Sequence, residues 1–493
     1  MTLPDMTLPD ITRRTALKYG AVALSAPFLA RVLAACGGSG TSGGAVEKMN
    51  LKGQSLDLMI LGVAGWPPSQ MSVDFGNKAF KSYAKSSLGY DVSFKASEAP
   101  FAQLFQKAAT SLATKSQEFN LIISDSQWIA AFAQPKWITP LNKVIEANKN
   151  LQLEWYSSVV RFYMYGAEGD QNIYGLPQEG DVLVLYVRKD MLEDPKEQAA
   201  YKSKYNKDLP QTFEDFVKIT WADYQSVMEF FTRPDKGLYG ISLQYSKEYD
   251  DFSCYYYPFL FSRGYRIWDP ANKNVQGVLN TDQNAAALEE FVALKKFCPP
   301  GADQVGIPEM ADLFTQGKVF SCIQWAAMGP AMITDSLKGK VMVVPPPAFK
   351  EGRTYTLGGQ PWVVNAFNDK NKMQAVVDFL NWWYRPETQL AYAKAGGNPC
   401  DKATLESAGF DDLQPWFRAY KYMLQDGKTL DFWHNANYAK MLSDQQEALT
   451  AYSTGQVKDP KTALDYIAYK QQETLYQAGQ TKTAPSGTLP PLS

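Results

Sequence analysis

Apolar runs rich in β-branched residues alternate with stretches of helical periodicity along most of the chain, and this alternation predicts layered α/β lobes. Strands are expected at residues 56–61, 91–96, 120–124, 182–187, 240–244, 319–324, 341–344 and 362–365. Helices fill the gaps. One begins at Thr212-Phe213-Glu214-Asp215, where a threonine followed three residues on by a carboxylate satisfies exposed first-turn amides. Its apolar positions Trp221, Tyr224, Met228 and Phe231 keep helical spacing, so that face is expected in a core. Another carries Met373, Val376, Val377, Leu380 and Trp383 as a stripe and stops before Pro386, which suits the first turn of the next helix. A late helix opens at Asp459-Pro460 and ends at Gly479. No repeat of fixed period is evident.

The N-terminus departs from this pattern. Arg13 and Arg14 precede a weakly apolar stretch, residues 19–33, that is broken by Pro27 and Arg31 and followed by Leu33-Ala34-Ala35-Cys36. Twin arginines before such a segment address a chain to the export route for folded proteins, and the stretch is too short to span a bilayer. Small residues before a cysteine resemble a lipobox. Residues 1–36 therefore read as a twin-arginine lipoprotein signal, with Cys36 the lipidated residue of a periplasmic or cell-surface protein held to a membrane by its lipid. Residues 37–50 open with Gly-Gly-Ser-Gly-Thr-Ser-Gly-Gly and read as a flexible tether, and residues 486–493 as a disordered tail.

Size and composition narrow the classes further. The body beyond the tether, on the order of 440 residues, exceeds what one hydrophobic core usually serves, so two lobes are expected. Lys and Arg number 49 against 51 Asp and Glu, spread evenly, which leaves no footprint for nucleic acid. Cys254, Cys298, Cys322 and Cys400 lack paired Cys-x-x-Cys spacing, so no metal site is expected, while disulfides and free thiols both stay open. His434 is the single histidine; it is expected to be structural, and it leaves histidine acid-base chemistry little to work with. No cofactor is expected.

Several stretches, in order, resemble the extracellular solute-binding proteins of ABC importers, the family that includes maltose-binding and glycerol-phosphate-binding proteins. Asn172-Ile173-Tyr174-Gly175-Leu176-Pro177 followed by Val184-Leu185-Tyr186-Val187-Arg188-Lys189-Asp190 is similar to the family's "YGLP … LYYNKD" passage. Leu209-Pro210-Gln211-Thr212-Phe213-Glu214-Asp215 resembles its "P-x-T-W-D-E" helix start, with Phe213 in the tryptophan position. Phe314-Thr315-Gln316-Gly317-Lys318-Val319, the double glycine after Leu357, and the Ala375 to Gln389 helix pair match further stations, as do Leu238-Tyr239-Gly240 and residues 459–464. The resemblance implies a two-lobe periplasmic-binding-protein fold, type II-like, with solute held in the interdomain cleft. By that analogy residues 51–180 plus 350–396 form lobe one and residues 181–349 plus 397–485 lobe two.

The ligand follows from the aromatic content. Aromatics make up 13% of the chain, with 12 Trp and 28 Tyr, and a sugar needs flat rings for its C–H faces and carboxylates or amides for its hydroxyls. Carrying the family's cleft loops onto this sequence selects Trp66, Asp125, Trp128, Glu179, Asp181, Tyr245, Tyr249, Asp250, Trp325, Gly359, Gln360, Trp362 and Asn398. Trp221, Trp382 and Trp383 lie on helical stripes and are assigned to the core. The expected activity is capture of a carbohydrate or polyol by a monomer that delivers it to a membrane permease, without catalysis. Two alternatives stay open: a secreted carbohydrate hydrolase with two carboxylates across a bond, and the same fold with a non-sugar ligand.

Overall fold

The computed structural model describes residues 48–167 and 170–492; the twin-arginine segment, Cys36 and most of the tether lie outside them. Eight strands carry the fold: β1 (Ser55–Val63), β2 (Asp91–Ala99), β3 (Leu121–Ile123), β4 (Gly175–Arg188), β5 (Ser321–Trp325), β6 (Val341–Val344), β7 (Tyr355–Val364) and β8 (Thr429–Leu430). The path runs β2-β1-β3-β7-β4-β5, with β6 added to β4 and β8 to β7. β1 pairs in parallel with β2 and β3, as expected where helices cover a sheet's faces.

Two long strands join the halves. The first half of β4 pairs antiparallel with β7, from Gly175 opposite Val363 to Val182 opposite Leu357. Its second half pairs with β5, from Leu183 opposite Trp325, and with β6, from Leu185 opposite Val344. β4 and β7 thus leave the β2-β1-β3 sheet of one lobe and continue into the other. The division expected at 180/181 falls inside β4. Every position of β4 before Arg188 is buried, so it lacks the alternation that marks a half-exposed strand.

Local helix rules explain most of the rest. The helix expected from Thr212 is two helices, α1 (Phe213–Lys218) and α2 (Trp221–Phe231). Thr212 and Asp215 form the expected capping box, but Ile219 is extended and Thr220 caps a new start through the Asp223 amide. Pro258 lies inside α3 (Asp251–Phe261), which is buried along its whole length. α4 (Lys370–Trp383) buries the predicted stripe apart from Met373, and Pro386 opens α5 (Pro386–Lys394). α6 (Tyr438–Ser453) packs beside α7 (Pro460–Gln477), which Asp459 caps as expected. Residues 240–244 form one isolated bridge, Ser242 to Cys322 of β5, instead of a full strand.

Cys254, Cys298, Cys322 and Cys400 are buried free thiols. The Ser486 amide donates to Gln276 Oε1 (2.8 Å) and Gln276 Nε2 donates back to the Ser486 carbonyl (3.0 Å), while Gln472 Nε2 donates to the Thr483 carbonyl (2.8 Å). Side-chain-to-backbone bonds thus tie Thr483 and Ser486 to the body, just before and at the start of the expected tail.

Candidate functional site

The crossing of β4 and β7 sets Glu179 opposite Gln360, Gly180 opposite Gly359 and Asp181 opposite Gly358. Strand alternation puts Glu179 and Asp181 on one face. Gly359 has φ +92°, and a Cβ there would strike the Tyr163 hydroxyl and lie 2.7 Å from the Asp181 nitrogen. At Gly358 a Cβ would sit 2.6 Å from the Trp325 ring, so the missing side chain lets that indole lie on the backbone. Tyr163 closes the crossing by donating its hydroxyl to the Gly358 carbonyl.

Each carboxylate of the pair is half satisfied. Glu179 Oε1 accepts from Trp66 Nε1 (2.5 Å), and Asp181 Oδ1 accepts from the Val182 amide (2.8 Å) and the Ala327 amide (3.1 Å). Glu179 Oε2 and Asp181 Oδ2 are buried with no protein partner, as are Gln360 Oε1, Gln178 Oε1 and Asn398 Nδ2. Asn398 is fixed by its other atoms: its Oδ1 accepts from Trp416 Nε1 (3.0 Å) and its carbonyl from the Gly180 amide (3.0 Å). Burial holds the Glu179 carboxyl well above the usual range, with the Asp181 charge adding to it, and burial pushes Asp181 up to about 8.

A second group lies beyond it. β3 ends at Ile123, and Asp125 caps the turn that follows by accepting from the Gln127 amide (3.2 Å). Tyr249, at φ +43°, donates to Asp125 Oδ2 (2.8 Å) and accepts from Trp128 Nε1 (2.8 Å). Phe101 stacks on Tyr249 (5.6 Å between ring centres) and meets Trp66 (5.8 Å) and Trp128 (6.4 Å) edge-on, which ties this group to the crossing. Asp431 accepts from Ser126 Oγ (2.6 Å) and Gln127 Nε2 (3.1 Å). Burial and the Asp431 charge raise Asp125 to about 7, and burial with the Asp125 charge raises Asp250. The Tyr438 hydroxyl, beside Tyr249, is buried without a partner.

The structure therefore brings Trp66, Asp125, Trp128, Glu179, Asp181, Tyr249, Asp250, Trp325, Gly359, Gln360 and Asn398 to one seam between the lobes. Two expected residues are elsewhere. Trp362 is fully buried, edge-on to Phe379 and Trp383 at 5.8 Å each, because β7 continues where a double-glycine loop was expected. Tyr245 is also interior: its hydroxyl donates to the Phe291 carbonyl (3.0 Å) and its ring stacks on Phe291. Of the four tryptophans selected from the sequence, Trp362 faces the core, and Trp66, Trp128 and Trp325 are buried as well. Sequence reasoning missed Phe101, Asp431, Tyr438 and Trp416. Asp431 stands three residues before the one histidine, and His434 Nε2 lies 3.8 Å from it, so the Asp-Phe-Trp-His run was the available signal.

Two open hollows, about 430 Å³ beside Trp221, Arg263 and Phe349 and about 540 Å³ between Gln276 and the tail, touch none of the expected site residues. No group of three or more metal-ligating side chains occurs among the described residues. No helix among them is long and apolar enough to cross a membrane.

Two lobes joined by crossing strands, with carboxylates and indoles at the seam, fit a solute-binding protein, and the family comparison shows that class. The chain belongs to the bacterial extracellular solute-binding protein family, whose sequence model matches residues 76–390. A mannitol-binding protein of Pseudomonas aeruginosa is 25% identical over 325 residues, and the match spans 65% of each chain, so just under two thirds of that relative is covered. Among solved structures, maltose-bound T. maritima MalE3 superposes with a TM-score of 0.69 at 20% identity, covering 85% of this chain and all of that one. A solute-binding protein from Agrobacterium vitis S4 with bound D-mannitol gives 0.67 at 19% identity, covering 86% and 99%.

Proposed function

We propose that the protein captures a sugar or polyol between its lobes and delivers it to the membrane subunits of an ABC importer. The observation that carries this reading is the set of half-satisfied polar side chains at the β4–β7 crossing, Glu179, Asp181, Gln360 and Asn398, set among the indoles of Trp66 and Trp325. A buried acceptor left unpaired costs about 1–3 kcal/mol, so solute hydroxyls that pair these atoms would favour the closed state over the open one. The mannitol- and maltose-binding relatives support the same ligand class. Glu179 and Asp181 rise side by side from one strand face, which suits gripping a solute better than flanking a bond to be cut.

In this reading Asp125, Trp128, Tyr249 and Asp250 line the cleft beside the crossing. Residues 1–36 send the chain out by the twin-arginine route, and Cys36 carries the lipid that holds a monomer near its permease. Calorimetric titration with D-mannitol, ribitol, maltose and a wider sugar panel tests the binding; heat and thermal stabilisation from at least one compound are expected, and none from any would overturn it. New reducing ends on incubation with oligosaccharides would favour a hydrolase instead.

A further inference from the structure

We propose that the solute carries a protonated amine as well as hydroxyls, as an amino sugar or amino polyol does, with its ammonium held between Glu179 and Asp181. This rests on the solute-binding reading above and narrows it. The seam gathers Asp125, Glu179, Asp181, Asp250 and Asp431, and among the described residues no Lys or Arg forms an ion pair with any of them; His434, 3.8 Å from Asp431 Oδ2, is the one basic group recorded against the set. Lys and Arg number 49 in the chain against 51 Asp and Glu, so this is placement and not composition.

The partnerless atoms lean the same way. With the carboxyls in the charged form that a bound cation would stabilise, Glu179 Oε2 and Asp181 Oδ2 join Gln178 Oε1, Gln360 Oε1 and Gln127 Oε1 as acceptors, against the Asn398 amide nitrogen and the Tyr438 hydroxyl as donors. An ammonium brings three donors and no acceptor, which fits the excess. Trp66 meets Glu179 through its indole N–H, and the Trp325 ring lies against Gly358 beside Asp181 in the strand pairing. The titratable neighbours of the pair are Tyr163, Tyr186, Tyr255, Tyr392, Tyr420 and Cys400, none of which has a cationic form and all of which burial holds neutral, so none of them offsets a charge on the two carboxyls.

The test is calorimetric titration of the full chain with matched pairs, D-mannitol against 1-amino-1-deoxy-D-mannitol and D-glucose against D-glucosamine, in buffers of different ionisation enthalpy. The expected result is at least about tenfold tighter binding of an amine than of its hydroxyl partner, with protons released on binding because the cation draws the carboxyls into their charged form. Glu179→Gln and Asp181→Asn should each reduce the preference for the amine. Proton release is read on the unaltered protein, so a variant that fails to fold leaves the test intact. Equal or tighter binding of the neutral partner, or a preference unchanged in both folded variants, overturns the assignment and leaves the solute-binding reading standing. Binding of no compound in a full sugar and polyol panel overturns both.

Discussion

Two aromatic groups lie near the β4–β7 crossing, one packed around Trp362 and one around Trp66 and Trp128, and they differ in what their polar edges do. In the lobe-one core Phe80, Phe94, Trp362, Phe379 and Trp383 pack ring against ring, and the Trp362 and Trp383 indole N–H groups have no partner. At the seam the Trp66 and Trp128 N–H groups donate to Glu179 and Tyr249, and Tyr249 passes the link to Asp125. The core uses indoles for their area alone. The seam uses ring and N–H together, coupling apolar contact to ionisable groups that would answer to a solute.

If that contrast is right, the largest effect of a single truncation falls in the core and spares binding. Trp362→Ala should cost about 3–5 kcal/mol in urea unfolding, while the solute affinity per folded molecule stays unchanged. A loss of affinity beyond the loss of folded protein would place Trp362 in the site after all.

The seam should instead respond to pH. Asp125 and Asp181 titrate near 3.8 when free but at about 7 and about 8 in the fold, so between those limits the folded chain holds protons that the unfolded chain has released. Stability therefore falls as pH rises through that window, by up to about 1.4 kcal/mol per pH unit for each group, and levels off above it. Thermal melts across the window should show the fall, and Asp125→Asn should make it shallower below about pH 7 by removing the Asp125 share while that of Asp181 remains. A melting temperature that climbs over the same range would contradict the burial of these carboxyls.

Much of the frame was legible from the sequence because it obeys local rules. The Thr212 box, the stripe of α4 and the Asp459-Pro460 start depend on neighbours a few positions apart. The first half of β4 was not legible, because Gln178, Glu179 and Asp181 are buried polar residues that read as loop in a pattern of apolar runs. The site divides similarly. Residues at strand ends, such as Asp125, were visible as candidates, whereas Asp431 depends on bonds to Ser126 and Gln127 that span 305 and 304 positions. Trp362 misled because the double glycine before it looks like a loop, yet those glycines serve the close approach of Trp325 and Tyr163 within a continuous strand.

A smaller change sharpens the comparison at the seam itself. Trp66→Phe keeps a ring beside Phe101 but removes the donor to Glu179 Oε1, leaving a second oxygen of that carboxyl without a partner. The expected loss is about 1–3 kcal/mol in solute binding, roughly a tenfold to hundredfold weaker dissociation constant, with a smaller change in unfolding. Equal losses in both measurements would make Trp66 a packing residue like Trp362.

The smallest effect comes from a polar link away from the seam. Thr220 Oγ1 accepts from the Asp223 amide (3.2 Å) and donates to its carboxylate (2.7 Å), restarting the helix after Ile219. Thr220→Ala removes that cap and should cost about 1 kcal/mol of stability. No atom of this link reaches Glu179, Asp181 or Asp125, so solute affinity should not move. The pairing with Trp66→Phe is what gives this modest variant its value: both delete one polar anchor from an aromatic-rich region, and only the one whose partner is a seam carboxylate should register in a binding titration. An affinity change in Thr220→Ala would mean that the fold transmits any local loosening to the cleft, and the distinction between rings that only pack and rings wired to carboxylates would lose its functional meaning.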